Sequence, residues 1–112
     1  MKFLLIFIGS CFLSVRQDEF LEKYSGSYNI MVGSDGSEAY ALKADGSAVW
    51  VYGWKNSSGK IQAQKKYGTW TAREGFISVS IKGNRGTITE EYRMKGGRFV
   101  SSSNPQAYLK RN

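Results

Sequence analysis

The chain has 112 residues, and its 16 lysines and arginines outnumber nine aspartates and glutamates to give a net charge of +7. This length supports a single domain. The sequence contains no histidine, which excludes Ser-His and Cys-His nucleophile activation and the usual zinc sites. It contains one cysteine, which excludes a disulfide bond within the chain.

The N-terminal segment has the pattern of an export signal. Lys2 precedes an apolar run over residues 3–8, and small residues and a cysteine follow. The tetrapeptide Ile-Gly-Ser-Cys at residues 8–11 resembles the bacterial lipobox, whose cysteine becomes the lipid-modified first residue after cleavage. We therefore predict a lipoprotein signal peptide over residues 1–10 and lipidation of Cys11. The run is shorter than the ~18 residues of a transmembrane helix, and the alternative is a buried N-terminal strand with a free thiol.

Residues 11–24 are predicted to form a tether that ends in a short helix. Phe20, Leu21 and Tyr24 have the spacing of one apolar helix face. Charged residues surround them, and we expect this helix to cover one end of a β-sheet.

Residues 25–112 have the pattern of an all-β domain. β-Branched and aromatic residues are frequent, and glycine-bearing turn signals recur about every ten residues. Such short connections permit only antiparallel neighbours, because a parallel crossover needs roughly a dozen residues. An up-and-down meander removes its exposed edges most simply by closing into a small barrel. Eight strands are predicted: Ser27–Val32, Glu38–Lys43, Ser47–Trp54, Lys60–Thr71, Phe76–Ile81, Thr87–Met94, Arg98–Ser102 and Ala107–Lys110.

Two of these strands alternate clearly between apolar and polar residues. The apolar residues of the fifth and sixth strands share one face, which is predicted to be the barrel interior: Ile77, Val79, Ile81, Ile88, Tyr92 and Met94. Gly68, toward the end of the long fourth strand, marks an expected bulge or bend that tightens the curl.

The second hairpin decides which way the tryptophans face. A two-residue turn at residues 45–46 would pair Leu42 with Val49. A three-residue loop at residues 44–46, with its last residue in the left-handed conformation, would instead pair Leu42 with Ala48. We predict the three-residue loop, because it gathers the larger apolar set on the inner face: Tyr40, Leu42, Trp50, Tyr52 and Trp54.

Several turn and packing residues resemble those of the lipocalin-like small lipoproteins of bacteria. They are Gly26-Ser27-Tyr28, the hairpin over residues 42–46, Gly68-Thr69-Trp70 and the strand Phe76–Ile81. The chain is most similar to the N-terminal barrel of the copper-homeostasis and envelope-stress lipoproteins, and the resemblance implies a lipocalin-like barrel over residues 25–112. That family carries a Cys-x-x-Cys pair after the first strand, which residues 31–36 lack, so no copper or redox role is implied.

Six residues predicted to face inward form the candidate ligand-binding site: Tyr40, Trp50, Tyr52, Trp54, Glu90 and Tyr92. Aromatic side chains inside a barrel of about eight strands either fill it or line a space for one small ligand. Glu90 shares a face with apolar residues, and a buried carboxylate needs a partner. Three interpretations stay open for it: an internal ion pair with a residue such as Lys65, a rim position in water, or a polar anchor for a ligand. Trp54, beside the polar loop over residues 55–60, is expected to line an opening.

No catalytic or metal site is predicted, and no cofactor is expected. Glu90 and Glu91 point to opposite faces of one strand, so they cannot act as the facing carboxylates of a glycosidase. The acidic turn at residues 35–38 is too sparse for a calcium loop.

These features predict a non-enzymatic lipoprotein anchored by its lipid in the bacterial cell envelope, at the periplasm or the cell surface. It would bind a small hydrophobic ligand or a protein partner. The alternative is an interaction module without a cavity, such as an inhibitor of secreted enzymes, an adhesion subunit or a stress-signalling subunit, that acts through its loops and basic surface. The expected partners are the membrane and anionic headgroups, envelope polysaccharide or an acidic protein. Nucleic acid is not expected, because an exported chain does not meet it.

Overall fold

A computed structural model describes residues 19–33 and 35–112, so the predicted signal peptide and Cys11 lie outside the described residues. Residues 19–24 form helix α1. Eight strands follow: β1 (Gly26–Val32), β2 (Asp35–Leu42), β3 (Ser47–Lys55), β4 (Ile61–Arg73), β5 (Phe76–Gly83), β6 (Gly86–Lys95), β7 (Arg98–Ser101) and β8 (Ala107–Arg111). No helix in this part of the chain has the length and apolar character needed to cross a membrane.

The strands form one closed antiparallel barrel in chain order. Each strand pairs with its sequence neighbours, and β8 pairs with β1 to complete the circle. The predicted all-β, up-and-down barrel of eight strands with a short N-terminal helix is confirmed. The largest difference from the predicted boundaries is in β2, which begins at Asp35 rather than Glu38. A register shift between Ile30 and Val32 brings Val32 opposite Asp35, so pairing continues up to the turn.

The hairpin between β2 and β3 has the predicted three-residue loop. Leu42 pairs with Ala48, and Tyr40 pairs with Trp50. Gly46 has a φ of 90°, which is in the left-handed region that glycine adopts without strain. Its N–H donates to the carbonyl oxygen of Lys43 over 3.0 Å, which closes the loop. The loop therefore turns the aromatic residues of β3 toward the inside of the barrel.

Helix α1 covers the end of the barrel at which β1 begins, and this is called the closed end. The buried ring of Tyr24 meets the ring of Phe99 edge-on, with the centroids 5.0 Å apart. The hydroxyl of Tyr24 accepts a hydrogen bond from the N–H of Gly75 over 3.0 Å. Tyr28 donates to the carbonyl oxygen of Tyr24 over 2.7 Å. These contacts tie the helix to three different strands or turns of the barrel and fill this end.

Gly68 does not form the bulge that its position suggested. β4 pairs with β3 as far as Thr69 and with β5 from Gly68 onward, and neither pairing has a register shift. Its backbone instead approaches β5 closely, because a Cβ built on Gly68 would lie 1.8 Å from the carbonyl oxygen of Ser80. Glycine is required there for space.

Two residues predicted to lie in the dry interior are exposed. Ile88 is 64% exposed and Met94 is half-exposed, although both share the inward face of β6 with the buried Tyr92. They lie near the two ends of the strand, where the inward face extends past the packed core. The alternation of β6 gave the direction of these side chains correctly and their burial wrongly.

Candidate functional site at the open end

The end of the barrel opposite α1 is called the open end, and it contains a cavity of about 270 Å³. Here β3 and β5 end, and β4 and β6 begin. Inward-facing residues of five strands line the cavity, together with a glycine at the end of β5: Glu38, Tyr40, Trp50, Lys66, Ile81, Gly83, Ile88 and Glu90.

One wall of the cavity is a row of three residues across β2, β3 and β4. Tyr40 pairs with Trp50, and Trp50 pairs with Lys66, so all three side chains share the inner face. The ammonium nitrogen of Lys66 lies 5.5 Å from the Trp50 ring centroid, within cation–π range. Lys65 pairs with Val51 and lies on the outer face, exposed to solvent. Lys65 as an internal partner of Glu90 was therefore a wrong prediction, and the lysine inside is its neighbour.

A pair of tyrosines lies at the inner end of the cavity. The hydroxyl oxygens of Tyr40 and Tyr92 are 3.0 Å apart, and their rings meet edge-on. Burial raises the pKa of both hydroxyls, and the negative charges of Glu38 and Glu90 raise them further. Tyr92 lies beneath the cavity, whereas Tyr40 lines it. One hydroxyl donates to the other, and the second proton of the pair is left for another acceptor.

Two carboxylates lie at the rim, each held by a neutral donor. The indole N–H of Trp50 donates to Oε1 of Glu38 over 3.0 Å. The hydroxyl of Ser103 donates to Oε2 of Glu90 over 3.0 Å. Glu90 therefore points into the cavity, as its parity predicted, and its carboxylate is at the rim rather than in the packed core.

Three aromatic rings of β3 form a ladder that continues the cavity wall outward. Trp50 stacks on Tyr52 with centroids 6.0 Å apart and planes 7° apart. Tyr52 stacks on Trp54 with centroids 5.4 Å apart and planes 24° apart. Exposure rises along the ladder, to 36% for Tyr52 and 41% for Trp54. Gln64 and Gln62 lie opposite these two residues on β4. The ladder thus leads from the cavity to the tip of the β3–β4 hairpin.

The six predicted site residues divide into three groups. Tyr40, Trp50 and Glu90 line the cavity, and Tyr92 supports it from below. Tyr52 and Trp54 extend from it on the ladder. Sequence reasoning missed four side chains of the lining: Glu38, Lys66, Ile81 and Ile88. Lys66 pairs directly with Trp50, so a register for the β3–β4 hairpin, which the sequence analysis left undetermined, would have identified it.

Comparison of the chain with protein-family models, curated proteins and solved structures finds no match. The resemblance to lipocalin-like lipoproteins stays a prediction. Within residues 19–33 and 35–112, no three His, Cys, Asp or Glu side chains are grouped so that they could hold a metal ion. The function is therefore inferred from the geometry of the barrel and its two ends.

Proposed function

We propose that this chain is a non-enzymatic lipoprotein of the bacterial cell envelope that binds a small hydrophobic ligand at the open end of its barrel. The observation that carries this proposal is the cavity of about 270 Å³ that continues into the exposed aromatic ladder. The interior of the same barrel beneath α1 is packed with buried side chains. A barrel that needed only a stable core would gain by filling both ends, since apolar surface left in water forgoes about 25 cal/mol per Å².

The size and lining of the cavity define the class of ligand. Small-molecule sites occupy roughly 300 to 1,000 Å³, so this cavity suits a ligand at the small end of that range. Trp50, Tyr40 and Ile81 offer ring and aliphatic surface, whereas Glu38 and Lys66 offer charges beside it. A ligand with an apolar body and one polar group would match both parts of the lining.

The alternative is an interaction module that uses its surface, and one observation favours it. Tyr52 and Trp54 are exposed at the open end, and Tyr67 is 63% exposed on the outer face of β4. Exposed aromatic side chains are frequent in protein interfaces. Under this alternative, the ladder would contact a protein partner and the cavity would hold only water.

A titration with the neutral apolar fluorophore N-phenyl-1-naphthylamine separates these functions. Energy transfer from tryptophan to the probe should saturate at one probe per chain. Ile88→Asp places a third carboxylate at the cavity and should weaken probe binding about tenfold or more, which is about 1.4 kcal/mol. Tyr67→Asp, a matched change at an equally exposed residue on the outer face, should leave the affinity unchanged.

Saturable binding with this contrast supports the ligand-binding proposal. Non-saturable binding, or equal losses in Ile88→Asp and Tyr67→Asp, would replace it with the interaction module. Both substitutions lie at exposed positions, so thermal melts of the two variants should match the unsubstituted chain within about 0.5 kcal/mol.

The lipid anchor has its own test, because Cys11 lies outside the described residues. In a bacterial host, mass spectrometry of the mature protein should find an acylated N-terminal Cys11. At an ionic strength high enough to screen contacts with anionic headgroups, Cys11→Ala should release the domain from membranes, since several acyl chains at about 0.8 kcal/mol per buried CH₂ supply the attachment that salt does not remove. An intact Met1 on exported protein would contradict the anchor.

A further inference from the structure

A dense cluster of cations lies at the closed end, and it is called the cationic corner. No acidic residue follows Glu91 in the printed sequence, whereas the same stretch contains five lysines and arginines. The barrel brings these five together, because β6 ends, β7 begins and β8 ends at the closed end. They are Arg93, Lys95, Arg98, Lys110 and Arg111.

Three guanidinium groups of the cationic corner are held in place by aromatic rings. The Cζ atom of Arg98 lies 4.1 Å from the ring centroid of Tyr108. That of Arg93 lies 5.1 Å from the centroid of Phe76. Arginine stacked on a ring keeps its donors free at its edges, so it can still bind a phosphate. Among the described residues, no carboxylate forms an ion pair with Arg98.

Arg111 connects the cationic corner to α1. Its guanidinium donates to the carbonyl oxygen of Ser25 and, over 3.5 Å, to that of Lys23. Its Cζ atom lies 5.6 Å from the ring centroid of Tyr28. Arg111 therefore places one end of the cationic corner where the chain leaves the helix and enters the barrel.

A groove of about 490 Å³ runs through the cationic corner. Arg98, Lys110 and Arg111 are on its walls, and Met94 and Tyr108 give it apolar surface. Cationic walls above an apolar floor are complementary to a phosphorylated headgroup with the start of its hydrocarbon chains. A soluble protein partner would not need this combination in one groove.

The length of chain before α1 places this end near a membrane if Cys11 is lipidated. The eight residues from Cys11 to Glu19 can span at most about 29 Å when fully extended. Because α1 covers the closed end, the anchor would reach the barrel from that side. The cavity at the open end would then point away from the bilayer, toward the compartment that supplies the ligand.

We propose that the cationic corner docks on anionic lipid headgroups and orients the barrel with its ligand cavity away from the membrane. This inference depends on the proposed lipid anchor for its orientation. Its chemistry is that of phosphate recognition by fixed arginines at a surface, where each lysine or arginine near an anionic bilayer contributes about 1 kcal/mol, or about fivefold in affinity.

The test measures vesicle binding of the full chain with Cys11→Ala, so that acylation plays no part. Sedimentation with vesicles of phosphatidylglycerol and phosphatidylcholine should show binding that pure phosphatidylcholine does not give.

Lys95→Gln combined with Arg98→Gln should weaken this binding about 25-fold. The matched control is Lys60→Gln with Lys82→Gln, which removes the same charge at the open end and should have less than a twofold effect. Thermal melts check folding, and Arg93→Gln with Lys110→Gln is a second corner pair if the first is unstable.

Several outcomes would overturn the proposal. Equal losses of vesicle binding from the corner pair and the open-end pair would show that the binding depends on net charge alone. Binding that does not depend on phosphatidylglycerol would show that the anionic headgroup is not recognised. Release by a few millimolar inorganic phosphate, at constant ionic strength, would assign the groove to a free phosphate compound. If the docking proposal fails, the results expected from the probe titration and from mass spectrometry of Cys11 do not change, because neither measurement depends on the residues of the cationic corner.

Discussion

Side chains point inward at both ends of this barrel, but the two ends bury them to different extents. In the packed interior, Leu42 and Val79 are almost fully buried within a core cluster that includes large rings and Tyr24 of α1. At the open end, Ile88 and Trp54 have the same inward parity and remain exposed. Alternation along a strand therefore gives the side to which a residue points. Its burial depends on what covers that end of the barrel.

Charge explains why the open end does not collapse. Glu38, Glu90 and Lys66 lie among its inward-facing residues. Removing such groups from water is costly unless each gains full hydrogen bonding or pairing. Among the described residues, the buried core beneath α1 contains no charged side chain, and the hydroxyls of Tyr24 and Tyr28 are hydrogen-bonded to backbone groups. The sequence thus places charges where the barrel stays wet.

The strongest test of this comparison is one substitution in the packed core and one at the open end. Val79→Asp buries an unpaired carboxylate at a residue that is 1% exposed, and should cost about 3 to 5 kcal/mol, enough to unfold much of the chain. Ile88→Asp, on the adjacent strand, should cost about 0.5 kcal/mol or less because it remains in water. Urea denaturation followed by tryptophan fluorescence measures both. Equal costs would show that the open end is packed in solution.

This pair of residues also marks the limit of the sequence analysis. The predicted strands, the antiparallel order and the three-residue loop were confirmed, because turn glycines and alternation are local properties. The same alternation predicted that Ile88 would lie in the packed interior like Val79, whereas Ile88 is 64% exposed. Nothing local distinguishes them, since the helix that covers one end is distant in the chain from β5 and β6.

A second comparison concerns two glycines in neighbouring strands. Gly68→Ala would place its Cβ 1.8 Å from the carbonyl oxygen of Ser80, so the backbone of β4 or β5 must move. We expect a loss of about 3 kcal/mol, at the upper end of the usual cost of overpacking. Gly53→Ala is the control, because its Cβ would meet nothing closer than 3.8 Å. It should be neutral or slightly stabilising in the same thermal melts. A harmless Gly68→Ala would mean that β4 and β5 are not so close.

The candidate site was predicted less completely than the fold. The aromatic residues were visible because large rings at alternate positions stand out in a strand. Glu38 and Lys66 were missed because a charged residue in a polar stretch carries no such signal, and only the register across three strands brings them beside Trp50. Lys65 was named as an example of an internal partner, and Lys66 was not, because the register of the β3–β4 hairpin was left undetermined.

The buried tyrosine pair beneath the cavity should make the chain less stable at alkaline pH. Burial raises the pKa of Tyr40 and Tyr92 above the ordinary tyrosine value near 10. The unfolded chain then loses these protons first, so their stabilising contribution is complete below about pH 10 and declines as the pH rises toward the folded values. The free energy of unfolding should therefore fall as the pH rises above about 10, by at most about 1.4 kcal/mol per pH unit for each hydroxyl that stays protonated in the folded chain. Urea denaturation at pH 9 and 11 should show a smaller decline for Tyr92→Phe, and an unchanged decline would contradict the burial of this hydroxyl.

A small effect on stability is expected at the outermost ring of the ladder. Trp54 is 41% exposed and packs only at the rim, so Trp54→Ala should cost about 1 kcal/mol or less. Trp70→Ala is the contrast, because this tryptophan is buried and its indole N–H donates to the carbonyl oxygen of Lys43 over 2.7 Å. Its loss should cost about 3 to 5 kcal/mol.

If the ladder guides a ligand into the cavity, Trp54→Ala should nevertheless weaken binding of the naphthylamine probe severalfold in a chain that melts nearly as the original does. A large loss of stability with no change in probe affinity would make the ladder part of the core, and the two ends of the barrel would then differ less than their exposures indicate.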